Sequence, residues 1–527
     1  MSTGYLAVVL HAHLPFIRHP EDETVMEQHW LHEAITGTYL PLVQLFEGLG
    51  NDGVRFRCTV SLSAPLITML TDDLLKVRYA AHLDKLIELT EREIDRTKSE
   101  PYYQRLAVMY RDRFLSLRHT FRCHDGNLVA AFRRLQEAGG VEVITSTATH
   151  AFFPAMDRNW AAMRAQVHTA ADLYERHFGR RTPGMWLGEC GYVPGVDELL
   201  REAGVRYFFV DTHGVLFADA PPMFGVHAPI YCPSGVAAFG RDVQSSEQVW
   251  SAKDGYPGDR HYRDFYRDIG FDLPKDYIGP YIHPEGHRMY TGIKYHAITH
   301  EQMHDKWVYD PVIARGKAGE HAAHFRGERT KQIQELASKM DRPPLLVSPY
   351  DAELYGHWWF EGLQFLDDLF RQLYYDQDVV ETITPSDYLD RHPTNQVATP
   401  ALSSWGRKGY SEYWVNESNA WIYRHLHVAG ERMVELVRRF RGRGSLVDRA
   451  LKQAARELLL AESSDWAFIM SAGTMVPYAE RRTNEHVVRF TRLYEDLVHE
   501  QLDESWLSDV ESKDNIFPDV DVGLYAR

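Results

Sequence analysis

The chain has 527 residues, 44% of them apolar, which supports a large core and excludes global disorder. Its net charge of −16 excludes non-specific attraction to nucleic acid or to an anionic membrane. Four scattered cysteines, Cys58, Cys123, Cys190 and Cys232, form no CxxC pair, so neither a zinc ribbon nor a disulfide scaffold is expected.

The opening MSTGYLAVVLHAHLPF lacks a basic leader, and its apolar run is too short to span a bilayer; a cytoplasmic location is expected. YLAVVLHAH (5–13) reads as a buried strand. WLHEAITGTYLPLVQLFEGL (30–49) has helical spacing, and 54–66 reads as a second strand. Residues 72–138 are charged and helix-like with few breakers. Strands follow at 141–152, 184–190 and 207–213, with helices at 158–178 and 195–204 between them. Residues 233–275 are rich in Gly, Ser, Asp and Tyr and read as a long loop over the site. A helix at 318–340 precedes PPLLVSPYDAELYG (343–356), a strand that runs into carboxylates. The alternation predicts a parallel sheet with helices outside, open or closed into a barrel. After turn-rich 392–409, consecutive amphipathic helices form a helical C-terminal region.

Four strand ends carry polar groups: His11 and His13, then Thr149 and His150, then Glu189, then Asp351 and Glu353. Sites in parallel α/β folds form at the C-terminal ends of strands, so these groups are expected on one face. His11 and His13 are two apart and point the same way on a strand. They suit either ligand hydrogen bonding or a metal with Asp351 or His150 as third ligand. Glu189 interrupts the apolar run MWLGECGY, where a buried carboxylate is costly unless paired. Paired with Asp351 it suits glycosidic bond cleavage: one carboxylate attacks the anomeric carbon and the other protonates the leaving oxygen. The blander alternatives are a solvated strand end for Glu189 and a helix N-cap for Asp351. Aromatics reach 12%. Trp405 and Trp414, in SSWGRKGYSEYW, stand among Gly and charge and read as platforms for sugar rings. Asp465, in AESSDWAFIM, reads equally as an N-cap and as a ligand contact.

At these residues the chain resembles glycoside hydrolase family 57. HAHLP (11–15), STATHAFFP (146–154), WLGECGY (186–192) and SPYDAELYGHWWFEG (348–362) look like its successive motifs, and SSDWAFIM (463–470) is similar to a motif of its helical region. WLHEAITGTYLPL and GPYIHPEGHRMYTGIKYH add a likeness to its 1,4-α-glucan branching members. The resemblance implies an incomplete (β/α)7 barrel at 1–395 with a helical insertion at about 72–138 and an active-site loop at about 233–275. It further implies a helical domain at 396–527 that completes the cleft. It implies Glu189 as nucleophile, Asp351 as general acid/base, and His11, His13 and His150 as sugar contacts. Trp250 and Tyr256 are candidate lids over the intermediate. Gly188 and Gly191 stand where Pro and Ala are common, and are expected to loosen the turn around Glu189.

The expected activity is branching: an α-1,4 bond of a glucan is cleaved and the chain passes to a 6-hydroxyl of an acceptor glucan. No metal or cofactor is required, since the carboxylates supply both acid and nucleophile. The same pair with water would make an α-amylase, and with a 4-hydroxyl a 4-α-glucanotransferase. More distant alternatives are a metal-dependent polysaccharide deacetylase using His11 and His13, and a non-catalytic glucan-binding module.

Overall fold

The computed structural model describes residues 2–250, 255–300 and 305–526. Among these residues nine strands form one sheet: β1 (Gly4–Ala12), β2 (Cys58–Leu62), β3 (Val141–Ser146), β4 (Gly184–Trp186), β5 (Tyr207–Val210), β6 (Ile230–Tyr231), β7 (Ala237–Gly240), β8 (Leu345–Asp351) and β9 (Val380–Thr382). Seven run parallel in the order β7-β5-β4-β3-β2-β1-β8. β6 pairs antiparallel with β7, and β9 joins the beginning of β1.

Strand parity builds two cores. Leu6, Val8 and Leu10 of β1 face the outer helices, while Tyr5, Ala7 and Val9 face the barrel interior with Ile144, Trp186, Phe209, Phe239 and Val347. Each fully buried Val or Leu contributes about 1.5–3 kcal/mol. No strand pairing joins β7 to β8 among the described residues. The helix Val243–Trp250 stands at that gap: Tyr350 donates to the Ser245 carbonyl (2.8 Å), Ser348 to the Ser245 hydroxyl (2.6 Å), and the Asp242 amide to the Val347 carbonyl (2.8 Å). The fold is an incomplete (β/α)7-type barrel with a helical C-terminal region.

The expected helical stretch at 72–138 is three helices, Asp73–Arg96, Pro101–Cys123 and Leu128–Glu137. Residues 233–275 are not a featureless loop. They hold β7, the helix Val243–Trp250 and short helical turns, and only 251–254 of this stretch lie outside the described residues. The predicted helix at 30–49 continues through a π turn, Ile35–Tyr39, inside WLHEAITGTYLPL. Such turns often sit at functional sites.

Candidate active site

The inward parity of β1 continues into His11 and His13 at the rim. His11 is buried and stacks on Trp186 (centroids 4.7 Å, 15°). β2 lies in register, so Ser61 stands opposite His11. His11 Nδ1 meets Ser61 Oγ at 3.1 Å, and His13 Nδ1 meets Ser63 Oγ at 2.8 Å. His150, beyond β3, takes a left-handed backbone (φ 59°) that brings its Nε2 to 2.9 Å from His11 Nε2. Burial, and the neighbouring imidazoles, hold His11 and His150 well below the usual histidine range, so both are neutral. Burial also opposes charge on His13, but Asp465, 2.9 Å from its Nε2, outweighs it and raises that imidazole. Asp465 is buried too, and its contact with His13 nevertheless lowers it, so the two form an ion pair.

Glu189 follows β4 in the 3-10 turn Gly188–Cys190, with φ 61° and ψ 25°. Such a conformation in a non-glycine residue costs of order 1–3 kcal/mol and persists where surrounding contacts impose it. Here they do: the Trp405 indole donates to Oε2 (2.7 Å), the Ser464 hydroxyl to Oε1 (2.9 Å), and the Trp405 amide to the Glu189 carbonyl (2.9 Å). Burial raises the carboxyl to about 7, against the two donors, which lower it.

Asp351 ends β8 directly opposite His11 in the register. It makes no capping hydrogen bond, so the N-cap alternative is not what holds it. Burial first, then Glu353 and Glu189, push it well above the carboxylate range, against Arg241. Glu353 accepts from the Tyr39 hydroxyl and the His13 amide (3.2 Å), and burial raises it to about 7. The π turn thus places Tyr39 at the rim. Arg241 lies 3.8 Å from Asp211 and 5.9 Å from the centre of the Trp405 ring. The rim therefore offers a hydrogen-bonded carboxylate and a carboxyl that has no side-chain hydrogen bond among the described residues and is pushed toward its protonated form, the division of labour that acid-assisted nucleophilic substitution needs.

Residues 7–309 match the family model of glycosyl hydrolase family 57. The chain belongs to glycosyl hydrolase family 57. Residues 425–525 match a second model, the C-terminal region of 1,4-alpha-glucan branching enzymes. The 1,4-alpha-glucan branching enzyme TK1436 of Thermococcus kodakarensis is 34% identical across 99% of this chain and 78% of its own length. Among solved structures, the α-amylase AmyC of Thermotoga maritima is 45% identical with a TM-score of 0.94, covering 99% of both chains. The family 57 branching enzyme of Pyrococcus horikoshii is 32% identical with a TM-score of 0.90, covering 100% of this chain and 97% of its own.

Within this family 57 frame, His11, His13, His150, Glu189, Trp405 and Asp465 are linked into one constellation by the contacts above, and Asp351 stands opposite His11 in the strand register. Trp250 adjoins it, edge-on to Trp405 at 6.3 Å, with its indole N–H buried and without a partner among the described residues. Two expected residues are elsewhere in character. Trp414 is not an exposed platform: it is 2% exposed and stacks on Phe152 at 5.0 Å, because Phe152 from beyond β3 and Phe468 of the helix Ser464–Ala472 pack against it. Tyr256 is not a free lid: it is buried, stacks on His321 (4.7 Å) and bonds His324 (2.8 Å), pinned to the helix Pro311–Ala337. The histidines also differ from expectation, since both nitrogens of His11, His13 and His150 are taken by protein partners. Nor is the turn loose at Gly188, where a Cβ would lie 2.5 Å from the Ala151 carbonyl oxygen. Ser61, Ser464, Tyr39 and Arg241 were not singled out from the sequence. For Ser61 the signal existed: TVSLS repeats on β2 the parity of HAH on β1.

Proposed function

We propose that this family 57 protein is a 1,4-α-glucan branching enzyme that works by a retaining, two-step mechanism. The observation that carries the chemistry is the contrast between the two rim carboxyls. Glu189 has two donors that favour its ionised form, whereas Asp351 has none among the described residues and is pushed toward its protonated form. Glu189 attacks the anomeric carbon of an α-1,4-linked glucose, and Asp351 gives its proton to the departing 4-oxygen. A glycosyl-enzyme ester forms and the reducing-side chain leaves. Asp351, now a base, takes the proton of an acceptor 6-hydroxyl, whose oxygen displaces Glu189 and closes an α-1,6 bond. Trp405 presents a half-buried ring beside the nucleophile, and Asp465 Oδ1 is left for a sugar hydroxyl because His13 and Ser463 share Oδ2. The histidines act behind these groups as a rigid, hydrogen-bonded floor.

The acceptor assignment rests on relatives: the C-terminal match and TK1436 are both described as branching enzymes. A second reading, an α-amylase with the same carboxyl pair, is favoured by the 45% identity with AmyC. The metal-dependent deacetylase reading is disfavoured by the donor set, since a metal on His11 and His13 would have to break their bonds to Ser61, His150, Ser63 and Asp465. We take the polymer to be glycogen-like and the compartment to be the cytoplasm. No helix among the described residues is long and apolar enough to cross a membrane. We divide the chain near residue 395, with 396–405 a connecting segment that still pairs with the barrel, Val397 with Tyr231 and Ser403 with Tyr192, before the C-terminal α-helices begin at Trp421. The test of the acceptor is to treat amylose with the enzyme, then with an α-1,6-specific debranching enzyme. Branching predicts that reducing ends appear mainly at the second step. Their appearance at the first step would make the protein an amylase.

A further inference from the structure

Resting on the reading of Glu189 as nucleophile, we infer that Ser464 is its positioning residue. It is the last link of a one-way hydrogen-bond chain that starts at Ser61, passes through His11 and His150, and holds a donor against Glu189 Oε1.

The direction follows from counting protons. The Trp405 indole can only donate, so it occupies Oε2 in every state. When Glu189 is ionised, Oε1 must accept, so the Ser464 hydroxyl donates to it at 2.9 Å. The Ser464 oxygen then accepts from His150, 2.8 Å away, which fixes the proton on Nδ1. A neutral imidazole with Nδ1–H has a bare Nε2, so His150 accepts from His11 Nε2–H across 2.9 Å. His11 is then bare at Nδ1 and accepts the Ser61 hydroxyl at 3.1 Å. Four bonds use four donors, and both rings stay neutral, as their burial demands.

A proton on Oε1 reverses every link. Ser61 would then accept from His11, and its own hydroxyl proton would be left over. Ser61 is fully buried and makes no other side-chain hydrogen bond among the described residues. An unmet buried donor is disfavoured, so the chain resists protonation at Oε1 from as far away as Ser61 in β2. Ser464 is itself clamped: its amide donates to the His150 carbonyl (3.2 Å), and Ser463 pairs with Ala151. It lies in the helix Ser464–Ala472, inside the segment matching the branching-enzyme C-terminal region. The helical region thus supplies a group that acts on the nucleophile. The other titratable or charged groups facing Glu189 are His13 from β1, Asp351 from β8, Asp465 beside Ser464, Tyr423 of the helix Trp421–Phe440 and the adjacent Cys190. Only His13 among them favours the ionised form.

The test is the pH profile of kcat/KM on amylose for the full-length wild type, Ser464→Ala, Ser61→Ala and Glu189→Gln. In Ser464→Ala the acid limb is expected to move up by about 0.5–1 pH unit, a loss of roughly 3–10-fold on that limb, while the rate recovers at higher pH. Ser61→Ala, which does not touch Glu189, is expected to move it in the same direction by less. A folded Ser464→Ala with an unmoved acid limb overturns the inference. If Ser464→Ala does not fold, Ser61→Ala decides, and an unmoved limb there overturns it. Activity retained in Glu189→Gln would instead refute the nucleophile assignment.

Discussion

Glu189 is a carboxylate inside an apolar run because two segments distant in sequence converge on it. Trp405 and Ser464 each donate to one of its oxygens, and the turn from β4 holds it in a strained backbone conformation. Desolvation raises it to about 7, and desolvation also pushes Asp351 well above the usual carboxylate range. The sign of the pH dependence follows. On the proposed assignment activity needs Glu189 ionised, so kcat/KM should climb as pH rises through about 7. It needs Asp351 protonated, so the rate should fall again at higher pH, where that proton is lost. Initial rates across pH measure both limbs, and a profile that is flat through neutrality contradicts the assignment. Asp351→Asn should lower kcat by about 10²–10⁴-fold and abolish the alkaline limb. The same substitution with an unchanged profile would remove Asp351 from the chemistry.

At the scale of elements, strand parity was the most legible signal. One alternation along β1 assigns Tyr5, Ala7 and Val9 to the barrel core and carries His11 and His13 onto the rim. Glu189, Asp351 and His150 were legible as strand-end polar groups. β6, β7 and β9 were not: AAFG and VET are too short and weakly β-branched, and tertiary pairing alone makes them strands. Ser464 was invisible as a site residue because its partner is 275 positions away. Trp414 misled because its local composition is polar, while its burial is decided by Phe152 and Phe468 from other segments. Trp414→Ala should therefore cost about 3–5 kcal/mol of stability in denaturant unfolding. A raised KM at unchanged stability would restore it as a sugar platform. Gly188→Ala should displace the turn, since the added methyl would meet the Ala151 and His150 carbonyl oxygens at 2.5 and 2.7 Å. We expect about 1–3 kcal/mol of destabilisation together with lost activity. Wild-type kcat and Tm in that variant would show that the turn tolerates the change.

At the scale of the molecule, the barrel supplies both carboxyls and the helical region supplies Ser464 and Asp465, so neither part holds the whole site. The helix Val243–Trp250 at the open seam between β7 and β8 brings Trp250 edge-on to Trp405, whose indole donates to Glu189. The most direct measurement of the account is proton NMR of amylose incubated with the wild type and with Glu189→Gln, with reducing ends counted in parallel. The account predicts a growing α-1,6 anomeric signal with few new reducing ends in the wild type and neither in the variant. New reducing ends without α-1,6 signal, or branching that survives Glu189→Gln, would contradict it.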